Sequence, residues 1–186
     1  MNKVIISVLG KDQPGIIAAV SGALFEADCN IENVSQTILQ SEFSGIFIVS
    51  IPEQMTLIDF QAALQTRLEP LNQHIHVKPL STPQVAATEP SGVEPLVITT
   101  RGPDRKGLVA GITAVFAAFE VNVAQLRAVF RGGDEPLNNT MIYEVDIPSS
   151  VDQKELRRAL SERARELNLE ISIQHRNIFE AMNRIL

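Results

Sequence analysis

The chain writes one pattern twice. Asp12-Gln13-Pro14-Gly15-Ile16-Ile17-Ala18 returns as Asp104-Arg105-Lys106-Gly107-Leu108-Val109-Ala110, with glycines at 15 and 107, an offset of 92. An apolar run precedes each copy (Val4 to Leu9; Leu96 to Thr100), and an apolar helical pattern follows, ending in Asn30-Ile31 and Asn122-Val123 at the same offset. Further on, Ile51-Pro52 matches Ile147-Pro148, and Phe60, Leu64, Leu71 and Ile75 match Leu156, Leu160, Leu167 and Ile171, now at an offset of 96. The four extra residues fall in the second copy's loop, Gly132 to Asn139. A unit of this size with 45% hydrophobic residues can bury its own core. Two such units offer related surfaces between which ligand sites form.

The periodicities within each copy read strand, helix, strand, strand, helix, strand. Val4 to Leu9 predicts a buried strand, and Pro14 to Ala27 places Ile16, Val20 and Leu24 at helical spacing behind Asp12 as an N-cap, with Asp104 its counterpart. Val34, Gln36 and Ile38 alternate with Ser35, Thr37 and Leu39. A turn over Ser41-Glu42-Phe43-Ser44-Gly45 then leads into a strand from Ile46 to Ile51. Leu57, Phe60, Leu64, Leu68 and Leu71 form the apolar stripe of a second helix, and His74 to Leu80 a last strand. This is the α+β ferredoxin-like order βαββαβ, with both helices on one face of an antiparallel sheet. The expected layout is a first domain over 1–80, a linker over 81–94, a second domain over 95–175 and an amphipathic tail over 176–186. The linker follows from Pro79 to Pro95, which hold four of the ten prolines among Ser, Thr and Gly. Ile178, Phe179, Met182, Ile185 and Leu186 make the tail's apolar face, expected to pack on a domain or a second subunit.

Composition excludes several function classes. Net charge is −6, Trp is absent and Tyr occurs once, so neither a basic surface nor stacking aromatics suit the chain to direct nucleic-acid binding. Residues 1–80 hold four Lys/Arg against eight Asp/Glu, and residues 95–186 twelve against twelve, so the two surfaces have diverged. No apolar stretch reaches membrane-spanning length and the start lacks a signal-peptide layout, which predicts a soluble cytoplasmic protein. Cys29 is the single cysteine, so there is no intrachain disulfide. His74 and His76 share one strand face without an evident third ligand, so no metal is assigned, and no cofactor-binding or nucleophile motif appears. Arg127 and Arg131 would share another face, as an anion contact or an ion-paired surface. The Gly132–Pro136 run reads as a hairpin turn, with partner contact a possible role.

The residues able to carry chemistry are expected at one end of each unit. A glycine at the start of the first helix, Gly15 or Gly107, bares backbone N–H groups at the positive end of the helix dipole, which suits a carboxylate. Asn30 and Asn122 offer amides that both donate and accept, as an amino acid's ammonium and carboxylate require. Two structural alternatives stand beside this: glycines kept for tight helix-to-strand packing, and asparagines serving as left-handed helix C-caps.

The repeated Asp-x-x-Gly-(Ile/Leu)-(Ile/Val)-Ala after an apolar strand, with a helix running to Asn-(Ile/Val), resembles the ACT domain, a ferredoxin-like module that binds amino acids and regulates enzymes or transcription. Two such domains, a linker and the ending His175-Arg176-Asn177-Ile178-Phe179-Glu180-Ala181-Met182 resemble the glycine cleavage system transcriptional repressor family over essentially the whole chain. That resemblance implies a non-enzymatic protein that senses a small amino acid, glycine or serine, and acts through a DNA-binding regulator, while the open sheet face or edge of each unit and the surplus apolar tail predict at least a homodimer. It places the ligand at a domain interface near Asp12, Gly15, Ile16, Asn30 and Ile31, or near Asp104, Gly107, Leu108, Asn122 and Val123. The alternative is an amino-acid-binding regulatory region of a metabolic enzyme, of the kind found with formyltetrahydrofolate deformylases and uridylyltransferases. An acylphosphatase-type enzyme on the same fold would need a loop Arg and Asn around a phosphate cradle, which neither copy has.

Overall fold

A computed structural model describes residues 2–80, 92–129 and 139–183. The chain divides into two compact units, Met1–Ala86 and Ala87–Leu186. The first unit runs β1 (Asn2–Lys11), α1 (Ile16–Glu26), β2 (Asn30–Leu39), β3 (Glu42–Ile51), α2 (Leu57–Leu68) and β4 (His74–Pro79). The second runs β5 (Val93–Gly102), α3 (Leu108–Ala118), β6 (Asn122–Val129), β7 (Asn139–Pro148), α4 (Gln153–Glu166) and β8 (Glu170–His175), followed by α5 (Arg176–Asn183). Both sheets are antiparallel, in the orders β2-β3-β1-β4 and β6-β7-β5-β8. This is the ferredoxin-like order read from the sequence, present twice.

The cores follow from alternation. In β1, Val4, Ile6 and Val8 point toward the helices and meet Ile16, Val20, Leu24, Phe60, Leu64 and Leu68. Leu9 does not belong to that face and is half-exposed, so β1 is buried on one side only. The second unit repeats the arrangement with Ile98, Leu108, Ile112, Phe116, Tyr143, Leu156 and Leu160. There Leu96, Val97 and Ile98 are buried in succession, because α5 lies against β5 and β8 and covers the face the helices leave open. Arg176, at the head of α5, fastens it: its guanidinium reaches Asp146 Oδ1 at 3.1 Å and Glu144 Oε2 at 3.6 Å on β7. The tail therefore packs on its own domain's sheet. Ile185 and Leu186, the 81–91 part of the expected linker, Arg131 and the Gly132–Pro136 turn lie outside the described residues.

Three local expectations are corrected. The turn placed over Ser41–Gly45 is strand: the chain reverses at Gln40-Ser41, with Gln40 at φ 57°, and β3 already starts at Glu42. Phe43 decides this, since its ring belongs to the core, and Gly45 lets the Phe43 and Phe47 rings close over a position where a Cβ would clash at 2.9 Å. Next, Asp12 and Asp104 cap no helix. The N-cap positions are Gly15 and Gly107, in left-handed conformation at φ 98° and 89°, without a side-chain cap bond. True side-chain caps serve the second helix of each unit: Thr56 Oγ1 accepts from Asp59 N, and Asp152 accepts from Lys154 N at 2.8 Å and Glu155 N at 3.2 Å. Asp152→Ala is expected to cost about 1 kcal/mol, and Asp104→Ala to leave stability unchanged, as thermal unfolding followed through the sole tyrosine will show. Finally, the left-handed residues that end α1 and α3 are Asp28 and Glu120, both at φ 55°. Asn30 and Asn122 instead open β2 and β6, so the C-cap alternative falls.

Candidate functional site

The loop between the first strand and first helix is the feature the two units share most closely. In the first unit it leaves β1 at Lys11 and enters α1 through Gly15. Asp12 N donates to Ser41 O at 2.7 Å, tying the loop to the β2–β3 turn. Gln13 Nε2 donates to Leu71 O at 2.7 Å, tying it to the end of the second helix. Beneath it lies Gln73, 2% exposed, whose amide donates to Lys11 O and Leu71 O, both at 3.0 Å. Gly10 makes the space, since a Cβ there would come within 2.7 Å of Gln73 Oε1. In the second unit the same tether has other chemistry: Arg105 Nη2 donates to Glu166 O at 2.9 Å, and Leu169 fills the place of Gln73.

Gly15 and Gly107 are exposed, and a Cβ built on either meets nothing within 4 Å. Tight packing is therefore not why glycine stands there. The positive φ is the reason, because an L side chain in that region costs about 1–2 kcal/mol. The helices therefore start at a left-handed glycine without a side-chain cap, three residues after the exposed Asp12 or Asp104, and the first-turn N–H groups have no partner inside the helix. A cleft over this loop in the second unit is lined by Asp104 to Ala110. In the first unit a groove of about 780 Å³ runs from Gly15 along α1 and α2, lined by Ala19, Ala23, Met55, Ala63 and Leu71 among others.

The remaining expected site residues fall elsewhere. Ile16 and Leu108 are core side chains, so only their backbone can take part in a loop site. Ile31 and Val123 pack against the two cores. Asn30 pairs with Ser50, and Ser50 with Lys3, at the edge of the sheet where β1 begins, whereas Gly15 follows the edge where β1 ends. An eleven-residue helix, about 16 Å long, separates them. Glycine and asparagine of one unit thus stand at opposite ends, against the expectation of a single end. Gln13, Gln73 and Arg105 carry no motif and were missed. The repeat does point to positions 13 and 105, since equivalent loop residues with donor side chains reach carbonyls one position apart in the repeat, Leu71 O and Glu166 O.

Other constellations resolve as surface structure. Among the described residues no group of three or more His, Cys, Asp or Glu could hold a metal ion, and no helix is long and apolar enough to cross a membrane. With the Gln125 amide turned to the orientation that satisfies both of its ends, its oxygen accepts from the Arg127 guanidinium at 3.0 and 3.1 Å and its nitrogen donates to Glu144, so that arginine belongs to a networked face. Burial raises the Cys29 thiol pKa, aided by the neighbouring Asp28 charge, which disfavours a reactive thiolate.

Two antiparallel βαββαβ units, each presenting a left-handed glycine at the head of its first helix, define a duplicated ferredoxin-like protein. The chain belongs to the ACT domain family, whose profile matches residues 2–78 and 94–174. Single-domain relatives align with part of it: a UPF0237 protein of Streptococcus pneumoniae is 41% identical over 76 residues, 41% of this chain and 82% of that protein. A UPF0237 protein of Methanococcus maripaludis is 40% identical over 94 residues, half of this chain and all of that protein. Among solved structures, a protein of unknown function from Galdieria sulphuraria superposes with a TM-score of 0.75 at 24% identity, covering 94% of this chain and 98% of that one. A candidate glycine cleavage system transcriptional repressor superposes with a TM-score of 0.69 at 18% identity, covering 93% and 96%. At these identities the structural likeness establishes the shared fold.

Proposed function

We propose that this chain is a non-enzymatic regulator that senses a small amino acid, glycine or serine, and passes its state to a DNA-binding transcriptional regulator, repressing glycine cleavage or related amino-acid metabolism. The observation that carries the reading is the repeated left-handed glycine with open space around it. It keeps side chains away from the N–H groups at the positive end of α1 and α3, where a carboxylate finds donors and a favourable dipole. Asp12 and Asp104, relieved of capping, supply an adjacent carboxylate for the ligand's ammonium. A small ligand suits a site made largely of backbone. The transcriptional arm draws on the name of the structural relative and on the acidic balance of the chain, which disfavours direct DNA contact.

Calorimetric titration with glycine and with serine tests the sensor. Gly15→Val and Gly107→Val are expected to cut affinity at the altered loop at least about tenfold, a loss of about 1.4 kcal/mol. Asp12→Ala or Asp104→Ala should weaken binding without loss of stability. If both valine variants fold and still bind at wild-type affinity, the loops are not the site. In mobility-shift assays the protein alone should leave operator DNA unshifted, while with the regulator present the complex should respond to the amino acid. Tight operator binding by the protein alone would overturn that arm.

A further inference from the structure

The helix layers of the two units are finished differently. In the second unit large side chains of its own occupy the seam between α3 and α4. Val115, Phe119 and Leu167 pack against the core, and Gly111 leaves room for Leu167, whose Cδ1 stands 2.7 Å from where a Cβ on Gly111 would lie. At the positions equivalent to 111, 115 and 119 the first unit has Ala19, Ala23 and Ala27. That truncation leaves the groove of about 780 Å³ along α1 and α2, whose lining includes the core side chains Phe60 and Leu64. The apolar atoms that one unit supplies for itself must reach the other from outside.

Charge separates the two layers as well. From Asp12 to Val77 the first unit has one basic side chain, Arg67, and the Glu26 carboxylate engages it at 2.7 Å on the groove's rim. The exposed Asp28, Asp59 and Glu69 adjoin the lining residues Ala27, Phe60 and Pro70, and none of the three has an ion-pair partner among the described residues. On α4, by contrast, stand Lys154, Arg157, Arg158, Arg163 and Arg165.

We propose that the groove of the first unit docks an amphipathic helix of a partner protein, its apolar ridge filling the seam and its Lys or Arg flanks facing Asp28, Asp59 and Glu69. The span fits, since eleven-residue α1 makes the groove about 16 Å long, or about three turns of a docked helix. A third helix seats its ridge between two others in this way. The seam of the second unit is unsuited, being filled and flanked by cations. Which protein supplies the helix rests on the proposed partnership with a regulator; the fit of the groove does not, and the test reads the groove alone.

Fluorescence anisotropy of the full chain with a labelled peptide tests this. The probe is a helical peptide of about 14 residues with Leu along one face and Lys, Arg and Ala elsewhere. A scrambled peptide of the same composition and a version with Glu in place of Lys and Arg serve as controls. The basic amphipathic peptide should bind at least about tenfold tighter than either control. Ala63→Lys, at an exposed lining position that a helix former suits, is expected to weaken binding at least about tenfold with circular dichroism unchanged. The pair Ala23→Val with Ala27→Phe, which installs the second unit's own side chains, should do the same without altering charge. Asp59→Lys should weaken binding and flatten its salt dependence, while Leu39→Gln, on β2 outside the groove, should change nothing. Equal affinity for the basic and scrambled peptides, or a complex indifferent to both Ala63→Lys and the valine–phenylalanine pair, overturns the proposal. So does a groove that takes 1-anilinonaphthalene-8-sulfonate but no peptide, which would assign it to a small molecule, or an Ala63→Lys chain whose sedimentation shows a dimer lost, which would assign it to a second copy.

Discussion

Replacing Phe116 with alanine is expected to cost the second unit about 3–5 kcal/mol, the range for deleting a large aromatic side chain from a packed core. Phe116 is 1% exposed on α3 and touches the Tyr143 ring edge-on, with centroids 5.4 Å apart and planes at 68°. Such a contact adds to simple area burial. The duplication supplies an internal control, because each unit has its own core cluster. Tyr143 is the sole tyrosine and tryptophan is absent, so intrinsic fluorescence reports the second unit while far-ultraviolet circular dichroism reports both. Denaturant unfolding of the variant should move the fluorescence transition to much lower denaturant and leave the first unit's share of the circular dichroism transition in place. Phe25→Ala, at an exposed position, should change neither probe. A fluorescence shift worth less than about 1 kcal/mol would mean that Phe116 does not carry the packing assigned to it.

The phenol of Tyr143 predicts an alkaline transition. Burial raises its pKa to about 12, and the neighbouring Thr100 hydroxyl offsets only part of the rise. Its hydroxyl donates to Met141 Sδ at 3.3 Å. A folded-state value above the unfolded value near 10 means that the unfolded chain gives up this proton first. The stabilisation is therefore complete below about pH 10 and is lost as pH climbs through 12, on the order of 2–3 kcal/mol in all. Native protein should show no phenolate absorbance at pH 10 to 11, whereas denaturant-unfolded protein titrates there. The denaturation midpoint read by fluorescence should fall over the same interval. A native phenolate signal with a midpoint near pH 10 would contradict the burial of this side chain.

The parts legible in the sequence were those set by periodicity and repetition. Alternation in β1 and the Phe60, Leu64, Leu68 spacing specify which faces are buried, and two copies of one pattern specify two units of one topology. Details governed by neighbours far along the chain were not legible. Asp12 looks like a cap because it precedes a helix, yet the left-handed Gly15 takes the N-cap position and starts the helix later. Ser41 to Gly45 has turn composition, and the burial of Phe43 overrides it. Asn30 and Gly15 bracket one helix in sequence, and that helix holds them apart. Gln73 gives no local sign of burial. It depends on the missing side chain of Gly10, more than sixty residues earlier, a relation that exists only once β1 and β4 have paired.

The tethers behind the two glycine loops differ in how far water can compete with them. The first loop is held from below by neutral amides, Gln13 and the buried Gln73, whose bonds to Leu71 O and Lys11 O involve no net charge. The second is held from outside by an exposed guanidinium on the Glu166 carbonyl. A solvent-facing donor competes with water for its carbonyl, whereas a buried amide that gives up its bond leaves a polar group without a partner. The second loop is therefore the easier of the two to open, so a single ligand presented to both meets two different reorganisation costs.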